Sequence, residues 1–270
     1  VSDVLVEIDG GVAVLTLHRP EARNAFTADM GRRLGDLYGD LDADDDVRAV
    51  VVTGTPPAFC AGADLSSGGE TFASPADGAF TASPVNPAAF EIRKPVIAAV
   101  NGHAIGIGLT LAMQADIRIV ADDAKYAIPQ VRRGVVPDAM SHWTVARTAG
   151  MAVAAEVLLT GRTFDGREAV SLGIASRSLP ADEVLPAALD LARDIAINVA
   201  PMSAALSKRL LWDTARYGFT PQQVADYETE LHHRVMGGPD AAEGVRAFLE
   251  RRDPEWTTRV STNWKELPWE

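Results

Sequence analysis

The chain changes character near Ala181. Before it, short apolar strands alternate with helical stretches. After it, helices alone are predicted, over 181–198, 201–217, 221–236 and 239–250. Strands mixed with helices, then helices alone, imply an α/β core followed by a C-terminal helical domain. The division falls at 1–197 for the core and 198–270 for the helical domain. With 270 residues, 47% of them hydrophobic, the chain can bury a sizeable core.

Within the first part, VLVEIDGGVAVLTL reads as two strands joined at Asp9-Gly10-Gly11, a hairpin signal. Thr27 is placed to cap a helix that carries Met30, Leu34, Leu37 and Leu41 on one face to about Leu41. The acidic run Asp42–Asp46 is expected to be a solvated turn. AVVVTG and KPVIAAV are short buried strands. The segment Ser66–Asn86, rich in Gly, Ser, Pro and Ala, is expected to be a loop that lines or covers a ligand site. DIRIVADDAKYAI supplies two more strands, a helix is expected from Asp138 to about Thr160, and SLGIASRSLP is the last strand-like piece.

A net charge of -12 and a pI of about 4.9 argue against nucleic acid and anionic membranes as main partners. The single cysteine, Cys60, precludes an intrachain disulfide and suits a reducing cytoplasm. Its apolar neighbours make it a buried small residue rather than a nucleophile. The N-terminal VSDVLVEIDGG lacks a basic and apolar leader pattern, so neither a signal peptide nor a membrane span is expected.

The stretch NGHAIGIGLTLAM (101–113) follows the strand KPVIAAV and holds three glycines, so something approaches this backbone closely. A dinucleotide fingerprint would place its third glycine at Leu111, and no acidic residue closes a following strand at the right distance. No Lys is present for a P-loop, and neither a GxSxG elbow nor an HExxH helix occurs. The five histidines lack metal spacing. Two readings stay open: the glycines let a helix pack on a strand, or they bring a backbone N–H to a reacting oxygen.

A second short stretch, PPAFCAGADLSS (56–67), stands after the strand AVVVTG. Together the two resemble the crotonase (enoyl-CoA hydratase/isomerase) superfamily. The resemblance extends to LTLHRPEARNAF, ADIRIVADDAKYAIPQVRRGVVPD and LLTGRTFDGREAVSLGIAS, and so covers about residues 4–180 closely. It implies an α/β fold, a spiral of strand–strand–helix repeats with a C-terminal helical domain, and an acyl-CoA thioester as substrate. It further implies an enolate-like oxyanion held by two backbone N–H donors, those of Ala63 and Ile107. Ile107 opens a helix, which would add positive potential there. The family usually has glycine at that position, and the Ile side chain is expected to narrow the pocket. Ala61, Asp64 and Leu65 of the same turn are implied substrate-binding positions, with Asp64 expected to fix the turn through local backbone hydrogen bonds. Arg23 and Lys208 match basic residues that reach the CoA phosphates; both also fit solvated surface charges. No metal or redox cofactor is implied, since CoA arrives with the substrate. Homotrimers or dimers of trimers are the implied assemblies.

The chain departs from the family at its acid/base pair. Hydration uses two glutamates; the matching positions here are Thr110 and Gln130. Neither exchanges a proton near neutral pH, although both can bind water or an acyl group. One carboxylate remains. Asp138, in RRGVVPDAMSHW, stands where other branches carry an acidic residue with a chemical role, as proton shuttle or nucleophile. It also stands where a helix starts, and Asp is a good N-cap. His142, one turn on, could share its helix face. His103 fits a wall or hydrogen-bonding place in the scaffold. The resemblance thus points to an acyl-CoA enzyme that is isomerase-like rather than a two-glutamate hydratase. The alternative is an acyl-CoA-binding member that has lost its chemistry.

Overall fold

Strand β1 (Val4–Asp9) pairs antiparallel with β2 (Val12–Leu17) across Gly10–Gly11, both of which have positive φ. This hairpin begins a computed structural model that describes residues 2–73 and 80–270. Helix α1 (Ala28–Ala43) follows. The Thr27 hydroxyl accepts from the Met30 N–H, and Met30, Leu34, Leu37, Tyr38 and Leu41 are buried. The helix continues two residues into the acidic run expected to be turn.

The chain then passes back and forth between two sheets. Strands β3 (Ala49–Gly54), β5 (Val96–Val100) and β7 (Ile117–Ala121) belong to the first sheet. Each is followed by a short strand of the second: β4 (Ala58–Cys60), β6 (His103–Ile105) and β8 (Tyr126–Ala127). Helix α2 (Ile107–Ala112) follows β6, and α3 (Ser141–Thr160) comes after β8. Strand β9 (Thr163–Phe164), helix α4 (Gly166–Ser171) and strand β10 (Arg177–Leu179) complete the two sheets. Their orders are β1-β2-β3-β5-β7-β10 and β4-β6-β8-β9. From β2 to β10 the first sheet is parallel, as are β4, β6 and β8 in the second. This is the strand–strand–helix repeat that the resemblance implied.

Helices α5 (Ala181–Asn198), α6 (Pro201–Tyr217), α7 (Pro221–Val235), α8 (Pro239–Glu250) and α9 (Val260–Asn263) finish the chain. Three of them start on proline, whose missing N–H costs nothing in a first turn. The continuous burial of β3 and β5 needs cover on both faces. Helix α5 supplies one cover, with Val184, Ala188 and Ala192 buried in the main core. Helices α6, α7 and α9 share a second, smaller cluster around Met202, Leu206, Leu210 and Leu231.

Two expectations need correction. The helix predicted from Asp138 starts at Ser141, because Ala139 and Met140 adopt left-handed φ values of 48° and 60°. It is also interrupted at Gly150 (φ 83°, ψ 162°). Of the loop expected over 66–86, residues 68–72 form a 3-10 turn, and 74–79 lie outside the described residues.

Candidate active site

Strands β4 and β6 are parallel neighbours, so the chain leaves both at the same end. After β4 comes Ala61-Gly62-Ala63; after β6 comes Gly106 and then α2. Gly62 has φ 105°, and a Cβ there would stand 3.1 Å from the Ile105 carbonyl oxygen. A Cβ at Gly108 would overlap the Cys60 carbonyl, and one at Gly102 would crowd Pro57 and Ala58. Two of the three glycines in NGHAIGIG therefore serve packing. Gly106, with φ 56° and ψ −123°, turns the chain into α2 and lies against the Gln130 carboxamide.

That packing leaves two backbone donors unspent. The Phe26 N–H donates to the Gly62 carbonyl (2.7 Å), and the Asp64 N–H donates to the Phe26 carbonyl (3.1 Å). Phe26 thus bonds on either side of Ala63, in a parallel bridge that turns the Ala63 N–H the other way. Ile107 is the first residue of α2, and a first-turn N–H has no partner within its helix. Among the described residues neither N–H makes a hydrogen bond. The Ile107 side chain packs in the main core, so the expectation that it narrows a pocket needs correction.

Asp64 behaves as an Asx residue: its Oδ1 accepts from the Ser66 N–H (2.9 Å), and its Oδ2 from Arg19 Nη2 (2.9 Å). The Ser66 N–H and Arg19 hold its carboxyl down to about 2. Arg19 also donates to the Ala25 carbonyl. Asn24, fully buried with left-handed φ, donates to the carbonyls of Thr55 and Ala58 and accepts from the Arg19 N–H. The sequence reading passed over both residues. The available signal was a polar residue inside the motif HRPEARNAF.

The third parallel strand, β8, ends beside β6 and delivers Gln130 four residues after Tyr126. Here the three positions that set this chain apart come together. The Asp138 Oδ1 accepts from Thr110 Oγ (2.7 Å) and from Gln130 Nε2 (3.2 Å). Thr110 and Gln130 are buried and Asp138 half-buried. Burial raises the Asp138 pKa above 3.8, while the two donors pull it down. The carboxylate makes no cap to α3, whose N-cap is Met140 with no side-chain bond. Of the two roles open to Asp138, helix capping is the one this geometry does not use. Gln114, another buried residue the sequence reading missed, pins the turn by donating to the Ala139 carbonyl (3.0 Å). The Gln130 Oε1 is buried with no partner among the described residues.

Other expected site residues lie apart from this group or differ from expectation. Arg23 is exposed, and its carbonyl takes the Ala61 N–H (3.1 Å). Leu65 is exposed. Lys208 needs correction: it is buried, and its ammonium is spent on Asp116 Oδ2 and the carbonyls of Ala89 and Lys94, each at 2.8 Å. Three donors on three acceptors leave none for a phosphate. His142 is exposed and makes no bond to Asp138, because the helix begins after the aspartate. His103 Nδ1 accepts from the Lys125 N–H (2.9 Å). Cys60 is buried, and burial pushes its thiol up to about 12.

Residues 7–259 match the family model described as enoyl-CoA hydratase/isomerase. The chain belongs to the enoyl-CoA hydratase/isomerase family. It is an enzyme of that family, acting on acyl-CoA thioesters. A probable enoyl-CoA hydratase of Mycobacterium tuberculosis is 37% identical over 259 residues, 95% of this chain and 98% of that protein. A carnitinyl-CoA dehydratase of Proteus mirabilis is 35% identical over 253 residues, covering 93% and 96%. The crystal structure of a probable enoyl-CoA hydratase/isomerase from Mycobacterium abscessus superimposes with a TM-score of 0.93 at 59% identity, over 96% of this chain and all of that one. Sequence and fold therefore agree on the family, while the side chains at 110, 130 and 138 bear on the reaction.

Proposed function

We propose that this enzyme is isomerase-like. It moves a proton between carbons of an unsaturated acyl-CoA, with Asp138 as its one acid/base group. The observation that carries this reading is the meeting of Thr110, Gln130 and Asp138, of which only Asp138 is an acid/base group. Two-glutamate hydration lacks both of its carboxylates. Isomerisation needs one, because the same base can remove a proton and return it elsewhere. The unspent N–H groups of Ala63 and Ile107 stand as donors for the thioester oxygen as enolate charge develops. A carboxyl whose pKa is raised by burial is suited to giving the proton back.

CoA enters as part of the substrate, and no further cofactor is invoked. Residues 198–270 form a helical domain through which three or six copies assemble, and a reducing cytoplasm suits the lone buried thiol.

A panel of 2-enoyl-, 3-enoyl- and dienoyl-CoA thioesters tests the reaction. Double-bond migration without addition of water is expected. Asp138→Asn should lower kcat by roughly a hundredfold or more, the usual share of a general acid/base, at unchanged thioester affinity. Hydration as the main reaction, or a near-full rate in Asp138→Asn, would overturn the proposal. Binding of the whole panel without turnover would favour a purely acyl-CoA-binding role.

A further inference from the structure

The carboxyl of Asp138 is bonded unequally. Both side-chain donors, Thr110 Oγ1 and Gln130 Nε2, reach Oδ1, and among the described residues no other residue donates to Oδ2; the one further contact is that of the Asp138 N–H with its own carboxylate. We infer that Thr110 is a positioning residue that dedicates Oδ1 to anchoring and leaves Oδ2 as the oxygen that exchanges the proton, with Gln130 as the weaker second holder. The inference rests on the single-carboxylate reading of the site.

The chemistry of the two oxygens carries it. When the carboxylate is ionised, Oδ1 accepts both bonds. When a proton sits on Oδ2, Oδ1 is the carbonyl oxygen of a neutral acid and still accepts both. The anchor therefore survives every stage of a proton shift. In the first step a substrate C–H bond breaks, its proton bonds to Oδ2, and its electron pair passes into the enolate and onto the thioester oxygen. In the second step the enolate pair takes the proton from Oδ2 at a different carbon, and the carboxylate is restored. No oxidant or added base is needed. A proton on Oδ1 would compete with both anchors, so the arrangement disfavours it.

Thr110 is the stronger holder on three counts. Its bond is 2.7 Å against 3.2 Å, its side chain is fully buried, and its only other acceptor among the described residues, the Ile107 carbonyl, is further away at 3.3 Å. The remaining ionisable groups around the site do not take its place. Cys60 on β4 is a buried neutral thiol. Arg132 and Arg133, beside Gln130, are exposed and turned to the carbonyls of Thr160 and Pro129, and His142 at the start of α3 is exposed.

The test is a 13C NMR titration of the full-length enzyme labelled at aspartate Cγ, with Asp138→Asn used to assign the resonance. Thr110→Val removes the hydroxyl at nearly constant volume; Thr110→Ser restores it. Loss of a donor to the ionised form should move the Asp138 titration up by about one unit in Thr110→Val. It should return in Thr110→Ser and shift by less in Gln130→Leu. The pH at which kcat rises should move in step, with KM for the acyl-CoA little changed. An unmoved titration in a folded Thr110→Val, or a failure of Thr110→Ser to restore it, would overturn the assignment. A titration that moves while the rate profile stays fixed would support the Thr110 assignment and count against Asp138 as the acid/base group.

Discussion

At the scale of residues, the role proposed for Asp138 conflicts with stability. Burial raises its pKa in the fold, whereas the unfolded chain titrates near the ordinary carboxyl value of 3.8. Between these two pKa values the folded state holds more protons than the unfolded one, so this group's contribution to stability falls as pH rises through that window. Above the window the full penalty of a buried charge applies. Asp138→Asn keeps the carbonyl oxygen that Thr110 and Gln130 bond and removes the charge. We expect this variant to melt at a higher temperature than the parent at neutral pH, with the gain fading as pH falls toward the ordinary carboxyl range. A melting series across pH in the two proteins checks this; an unstabilised variant at neutral pH would contradict it. The three residues concerned were legible singly, as the positions that the family resemblance picks out. That one hydroxyl and one amide converge on one carboxylate oxygen was not legible, since strand pairing decides it. Lys208 was misread for a related reason: a lysine in sequence shows its charge but not Asp116, the distant partner that buries it.

At the scale of elements, the helices and the strands of five or six residues were mostly plain, and several shorter features were not. The hairpin, α1 and the C-terminal helices carry their own period, caps and prolines. Strands β4 and β9, of three and two residues, are too short for any periodicity to register, and α4 falls in a stretch that carried no assignment. Yet β4 is decisive, because its pairing with β6 brings Ala63 and Ile107 to one end. The contact that fixes this spacing is Gly108 against the Cys60 carbonyl. Gly108→Ala should force the two strand ends apart, costing about 1–3 kcal/mol in stability as overpacked sites do. Affinity for an acyl-CoA should weaken with it. Calorimetric melting and titration with a saturated acyl-CoA measure the two effects; unchanged binding would show that the spacing of these donors matters less than the pairing suggests.

At the scale of the whole molecule, α6 belongs to the second apolar cluster and also meets the start of β7 and α3. Asp116, at the start of β7, takes Lys208 Nζ on Oδ2 (2.8 Å) and Trp212 Nε1 on Oδ1 (2.6 Å). Trp212 stacks with Phe90 and with Trp143 of α3, at ring-centroid distances of 5.1 and 5.6 Å. The helical domain is thus tied to the helix that follows the Asp138 turn. Open grooves lie among these helices. One of about 480 Å³ runs between α6 and α7, lined in part by Leu206, Leu210, Leu211 and Leu231, and Leu211 is 69% exposed. The proposed assembly through these helices predicts sedimentation at three or six times 28.7 kDa; a monomer at micromolar concentration would refute it.

The three parallel strand ends have an implication for how such an enzyme changes. The Ala63 and Ile107 donors belong to the backbone, held chiefly by Phe26, Gly62 and Gly108, with Thr110 and Gln130 touching only the Ile107 carbonyl and Gly106. Those three positions are interchangeable parts on a fixed mount. On the proposed reading, a lineage that exchanges glutamates for a threonine and a glutamine trades one reaction for another, while the backbone donors proposed to grip a thioester are inherited intact. The ancestry of the chain is then recorded in its main chain, and its present occupation in a few side chains.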